Sequence, residues 1–247
     1  MSASSSFSEK AVSFNVAHYG KDEGLNGRFM RDDAVDFFAG GCDGGGGKFE
    51  DAENRDIAGA VPDVLAVCAA SGLGFGDAVI DVGAGTGLFL SALSQVVGDS
   101  GKVLGVDIST KFVDFMKQRV AREGMANVCI ELCSAQSPII AKEQQSRKFK
   151  CALICDAYHH FEYPITFMSE LRHYLADEGF VVLIDFWRDP KKMVHHEPQW
   201  ALDHLRAGRE QFQSEIESAG FRLVDSPMID ALKENYCMIF RPWRADK

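Results

Sequence analysis

Apolar residues recur along most of this chain in two alternating patterns. Runs that are apolar on both faces, Ala78–Val82, Val103–Asp107, Val128–Leu132, Cys151–Cys155 and Phe180–Asp185, read as buried strands. Between them, apolar side chains fall at helical spacing: Phe89, Leu90, Leu93, Val96 and Val97, then Phe112, Val113, Met116 and Val120, then Met168, Leu171 and Leu175. A helix over Ala58–Ala70, ending at Gly72, precedes the first strand, and a short helix is expected between the third and fourth. Strands buried on both faces and alternating with helices predict a parallel sheet covered on both sides, with right-handed crossovers. The rhythm breaks near the C-terminus. One long helix, carrying Ala201, Leu205, Phe212, Ile216 and Ala219, leads to Gly220 and two strands, Phe221–Val224 and Tyr236–Phe240. Their short connection predicts an antiparallel hairpin closing the sheet.

The first fifty residues differ from the rest. Residues 1–50 read as an N-terminal extension and 51–247 as the main domain. Residues 1–26 are polar and predict late or poor ordering. Phe29, Met30, Val35, Phe37 and Phe38 then suit a short packed helix. Gly44 to Gly47 carry a high ordering entropy, which suits a flexible loop or a mobile lid over a site.

Composition narrows the function. Of 247 residues, 46% are apolar and 25% charged, as in ordinary globular proteins. Acids outnumber bases 36 to 26, giving a formal charge of −10, the opposite of what a phosphate-binding nucleic-acid protein carries. No run is long enough for a membrane span, and no basic start precedes an apolar leader, so a cytoplasmic location is the expectation. Seven cysteines, none in a C-x-x-C pair, read as reduced thiols.

The sharpest local feature is Asp81-Val82-Gly83-Ala84-Gly85-Thr86-Gly87, directly after a strand and opening a helix. Glycines suit a tight turn whose backbone approaches a ligand. The second strand ends in Asp107, 24 residues beyond Gly83, where an acid can accept hydrogen bonds from two ribose hydroxyls. A dinucleotide fingerprint would need its third glycine at Leu88. An acid at the loop also repels a pyrophosphate, whereas it suits a cationic ligand with an amino group.

On these residues the chain, over roughly 56–241, resembles the class I S-adenosylmethionine-dependent methyltransferases. The resemblance implies a Rossmann-like α/β fold with seven strands, mostly parallel, in order 3-2-1-4-5-7-6. Strand 7 would be antiparallel, with helices on both faces. It implies S-adenosyl-L-methionine as cofactor, held by Asp81 at the amino group, by Gly83, Ala84, Gly85, Thr86 and Gly87, and by Asp107 and Ile108 at the ribose. Ser134, Ala135 and Asp156 complete the set. Ser134 stands where the family often has an Asp for the adenine amino group.

The fourth strand ends in Asp156-Ala157-Tyr158-His159-His160-Phe161, which resembles the Asp-x-Tyr-His-His segment of a small-molecule group of unassigned substrate. Ligands of open parallel sheets lie beyond these strand ends. His159 and His160 are the candidate catalytic residues, since histidine is the natural base near neutral pH. Tyr158 suits acceptor orientation or a ring contact with the sulfonium. Adjacent histidines also serve in cores and helix caps, and Asp156, His159 and His160 alone make an incomplete metal set, so no metal is expected. Arg188 reads as a salt-bridge partner of Asp185, His195 and His196 as solvated, and Tyr236 as near the pocket. Arg206, Arg209 and Glu234-Asn235-Tyr236 share the same resemblance with no derivable role. The leading expectation is a methyltransferase acting on a small molecule. The alternatives are an NAD(P)-dependent oxidoreductase and a non-catalytic S-adenosylmethionine-binding regulator. Oligomeric state is not legible.

Overall fold

A computed structural model describes residues 25–40, 48–51, 53, 55–139 and 148–243. The Gly44–Gly47 run, the polar residues 1–24, Cys42 and the short helix expected before the fourth strand lie outside these residues. Seven strands form one sheet: β1 (Ala78–Val82), β2 (Lys102–Asp107), β3 (Val128–Leu132), β4 (Phe149–Cys155), β5 (Leu175–Phe186), β6 (Phe221–Asp225) and β7 (Asn235–Pro242). Their order is β3-β2-β1-β4-β5-β7-β6, as expected. The first five pair in parallel, and β7 runs antiparallel to both β5 and β6.

Residue alternation along the strands divides the core into two layers. Val79, Val103, Leu153, Val182 and Ile184 face one side, where α3 (Val61–Ala70), α4 (Leu90–Val97) and α5 (Thr110–Glu123) supply Val64, Leu93 and Met116. Ile80, Val106, Ala152, Ile154 and Leu183 face the other, against Met168 and Leu171 of α6 (Pro164–Tyr174) and Phe212 and Ile216 of α8 (Arg209–Ser218). Two short helices, α1 (Ala34–Ala39) and α2 (Asp56–Gly59), precede α3, and α7 (Trp200–His204) precedes α8. Ends are set locally. Ser109 caps α5 by accepting from the Phe112 N–H at 3.5 Å, and left-handed Gly124 stops it.

Two expected helices are broken. The segment 58–70 divides because Pro62 takes the first turn of α3, where its missing N–H costs nothing. The segment 201–219 divides at Leu205–Gly208, whose extended backbone turns the chain between α7 and α8. The chain runs outward from β1 to β3, then returns to β4 beside β1. This switch point opens a crevice at the strand C-termini. Among the described residues no helix is long and apolar enough to cross a membrane.

Candidate active site

A cavity of about 630 Å³ occupies that crevice, within the range of small-ligand sites. One wall is the β1 loop. Gly83 and Ala84 donate backbone N–H bonds to the Val106 carbonyl at 2.9 and 3.1 Å, tying the loop to β2. Gly83 sits at φ +69°, and a Cβ there would stand 2.6 Å from that of Ala157. The Asp107 carboxylate accepts from Gly85 N–H at 2.9 Å and Ser109 N–H at 2.8 Å. Each oxygen keeps a second lone pair for a ligand. Asp81 lies beneath the loop, 2% exposed, and its Oδ2 has no hydrogen-bond partner. Burial pushes the Asp81 carboxyl up to about 7, with the nearby charge of Asp107 adding to it. Burial likewise raises Asp107 to about 6, against the pull of its backbone N–H donors. A buried, unsatisfied carboxylate is costly unless a donor or cation arrives, so this wall fits a ligand carrying an ammonium group.

Ala84, Gly85, Thr86, Ile108, Ser134, Ala135 and Asp156 also line the cavity. The Ser134 hydroxyl accepts from Ser137 N–H at 2.9 Å and so shapes its own loop. Gly87 departs from expectation. It is not on the cavity wall; at φ +81° it packs where a Cβ would meet Leu90 at 2.6 Å. Its glycine serves the start of α4.

The opposite wall is built from side chains. Asp156, at φ +50°, is held by Arg55 and by Asn235 Nδ2, each at 2.6 Å. Residues 158–160 form a three-residue 3-10 turn, whose side chains point about 120° apart. Hence they cannot all face the cavity. His159 and His160 do. Tyr158, contrary to expectation, turns into the core, between Phe161 and Phe212 and beneath the Arg206 guanidinium, which is paired with Glu215 at 2.7 and 2.8 Å. His159 is fixed twice by Asp185. Its backbone N–H donates to Oδ2 at 3.0 Å and its Nδ1 lies 2.7 Å from Oδ1. Beside a carboxylate Nδ1 carries the proton, leaving Nε2 with a lone pair. Burial drives the His160 pKa well below its ordinary value, and the neighbouring His159, His204, Arg28 and Arg206 add to this, so His160 is neutral.

Five of the seven histidines line this cavity. His195 is exposed, as expected, although it borders the cavity; His196 is half-buried and so is not the solvated residue expected. His195 Nε2 meets Asp56 and His196 Nδ1 meets Glu234, each at 2.7 Å. Glu234 also accepts N–H bonds from His195 at 2.6 Å and His196 at 3.1 Å. Burial raises its pKa, but the His196 side chain and the backbone donors outweigh that and bring it to about 2. Trp200 stacks between His196 and His204, at centroid distances of 4.0 and 4.6 Å. Arg188 does not pair with Asp185, whose oxygens are taken; it donates to the Leu205 and Leu202 carbonyls at 2.8 and 3.1 Å. Tyr236 packs on Trp187, 5.1 Å away, off the cavity wall.

Residues before the main domain close the cavity. Asn26 donates to the His160 carbonyl at 2.9 Å, Phe29 meets the His160 ring edge-on at 5.0 Å, and Phe38 stacks on Phe49 at 4.5 Å. Asn26, Arg28, Arg55, Trp200, His204 and Glu234 were not singled out as site residues from the sequence. Of these, only Glu234 carries a signal in the sequence, through the resemblance of Glu234-Asn235-Tyr236.

A family model described as a methyltransferase domain matches residues 74–222, more than half of the chain. Among curated proteins, a protein-L-isoaspartate O-methyltransferase of Thermotoga maritima is 40% identical over 57 residues, 23% of this chain. The match spans 18% of that relative's length. Among solved structures, a SAM-dependent methyltransferase from Aquifex aeolicus aligns with a TM-score of 0.62 and 21% identity, over 72% of this chain and 88% of that one. Fibrillarin from Aeropyrum pernix, solved with natively bound S-adenosyl-L-methionine, aligns at 0.52 and 15%, over 72% and 74%. These two likenesses are of fold.

Proposed function

The chain belongs to the methyltransferase-domain family, and on that premise we propose that it carries a methyl group from S-adenosylmethionine to a small-molecule acceptor seated against the histidine wall. The cofactor is S-adenosylmethionine, which supplies a methyl group made electrophilic by its sulfonium. Asp81 would take its amino group, Gly83, Ala84 and Gly85 would pass beside it, and Asp107 and Ile108 would face its ribose. Ser134 and Ala135 would border the base. The observation that carries this reading is the unpartnered Oδ2 of Asp81 in the same cavity that His159 and His160 line.

Acceptor size follows from space. One cavity of about 630 Å³ must hold both donor and acceptor, and Asn26, Phe29, Phe38, Phe49, Arg55 and Ile57 line it from the N-terminal side. That leaves room for a small molecule, clasped by Phe29, Phe186 and Trp200. The chain's acidic balance weighs against a nucleic-acid acceptor. The described residues of the N-terminal extension that line the cavity, Asn26, Arg28, Phe29, Phe38 and Phe49 among them, act as the cover of the site. His159, held by Asp185, and His160 contact the acceptor and help remove its proton; alignment of the acceptor supplies much of the remaining rate. Neither a nicotinamide enzyme nor a non-catalytic regulator is favoured by the family match.

Calorimetry with S-adenosylmethionine, S-adenosylhomocysteine and NADH tests the donor half. Binding of the first two and not the third is expected; binding of NADH alone would overturn the reading. Labelled-methyl turnover over a metabolite panel tests the acceptor half. His159→Ala and His160→Ala should each lose turnover while keeping S-adenosylhomocysteine affinity, and unchanged turnover in both would remove them from the site.

A further inference from the structure

The histidine wall has a feature that proton transfer alone does not require. One ligand atom from each of His159, His160 and His204 lies within 4.8 Å of the other two. We infer that these three imidazoles bind one divalent transition-metal ion, of which zinc is the type, with its fourth position open to the cavity for an oxygen or nitrogen of the acceptor. The inference rests on the reading that the acceptor docks against this wall, and it changes the part the rings play: with the ion bound they would hold it rather than take the proton themselves, and the ion would favour proton loss from the acceptor.

Three observations support it. First, His159 has the outer partner typical of a metal ligand: Asp185, fully buried, holds Nδ1 at 2.7 Å and leaves Nε2 for coordination. Second, the lone pairs of the other two rings already converge on a cation. Arg28 Nη2 lies 3.4 Å from His160 Nε2 and 3.3 Å from His204 Nε2. A guanidinium only donates, so both Nε2 atoms accept, and both rings carry their proton on Nδ1. Third, the donor set is chemically apt. Three neutral imidazoles suit zinc and its neighbours, and a three-ligand zinc with one open position is the catalytic rather than the structural pattern. Nitrogens 2.0–2.1 Å from a tetrahedral zinc stand about 3.4 Å apart, so the rings must draw in by about 1 Å. Arg28, resting on the Phe29 ring at 4.7 Å, must withdraw. It therefore competes with the metal.

The test uses the full chain, stripped with chelator and titrated with Co²⁺, then Zn²⁺. The expected result is one equivalent of Co²⁺ per chain, with the visible bands of four- or five-coordinate cobalt, displaced by Zn²⁺. His204→Ala should weaken Co²⁺ by at least tenfold, and Asp185→Asn by about 10- to 100-fold. Arg28→Ala should tighten it. Wild-type protein that takes up no stoichiometric cobalt overturns the inference, as does His204→Ala with wild-type affinity. S-adenosylhomocysteine calorimetry on the same samples separates the two readings. Intact cofactor binding without cobalt binding removes only the metal, whereas absent cofactor binding removes the function proposed above.

Discussion

The two walls of the cavity differ in what they are made of. The cofactor wall is mostly backbone: a loop of consecutive residues, 83–86, clamped to β2 by main-chain hydrogen bonds, with two carboxylates behind it. The acceptor wall is mostly side chains, drawn from the N-terminal segment, the β4 turn, the end of β5 and the 195–204 stretch. A backbone cradle fixes one ligand shape and tolerates little change. A side-chain wall re-forms with each substitution along any of four segments, and the function proposed above puts acceptor choice there.

That contrast is open to attack, and the largest effect is expected on the acceptor side. His159→Ala should lower turnover by about 100-fold or more, the scale of a lost proton-transfer group, with cofactor affinity within about twofold of wild type. A parallel loss of cofactor affinity would merge the two walls into one.

Next comes Asp81. Its loss removes a charged hydrogen bond, so Asp81→Asn should weaken S-adenosylmethionine by about 10- to 100-fold in calorimetry at pH 8. The wild-type affinity should also rise as pH increases through about 7, because the ionised carboxylate is the form that a cation prefers. In Asp81→Asn this dependence should flatten. Ligand-free stability runs the other way. The folded pKa of Asp81 lies above the unfolded value, so its contribution is present below about 4 and lost as pH rises through about 7. Thermal melts of the apo protein should fall over that window, and less steeply in Asp81→Asn.

Asn235→Ala comes third. It takes one of two hydrogen-bonding supports from the buried Asp156 carboxylate, and about 1–3 kcal/mol of stability should go with it in denaturant titration. Arg55 still holds the carboxylate, so cofactor binding should survive. The smallest effect belongs to Tyr158→Phe. The ring is core and its hydroxyl lies beside the Arg206–Glu215 pair, off the cavity wall, so turnover should stay within about twofold of wild type. A large loss would return Tyr158 to the site.

The same contrast explains what the chain discloses before folding. The parallel strands, the terminal hairpin and the Asp81–Gly87 cradle are written in contiguous residues whose periodicity or spacing has one physical reading, while the strand order comes from the family resemblance. The acceptor wall is not contiguous. That His159 faces the cavity and Tyr158 the core depends on the tight 3-10 turn, which no pattern in Asp156–Phe161 announces. Glu234 as organiser of 195–196, and Arg28 between His160 and His204, are pairings across tens to more than a hundred residues. Even the cradle held one surprise, since Gly87 has the same local signature as Gly83 but serves helix packing. Arg188 does not reach Asp185 because His159, in the turn after β4, occupies both carboxylate oxygens.

The central claim is that one cavity seats the nucleoside of S-adenosylmethionine between Asp81 and Asp107, with its sulfur toward the histidines. A crystal structure of the chain with S-adenosylhomocysteine tests this most directly. The account predicts the amino group on Asp81, the ribose hydroxyls on Asp107 and the sulfur facing His159 and His160. A crevice closed by side chains, or a ribose bound away from Asp107, would contradict it.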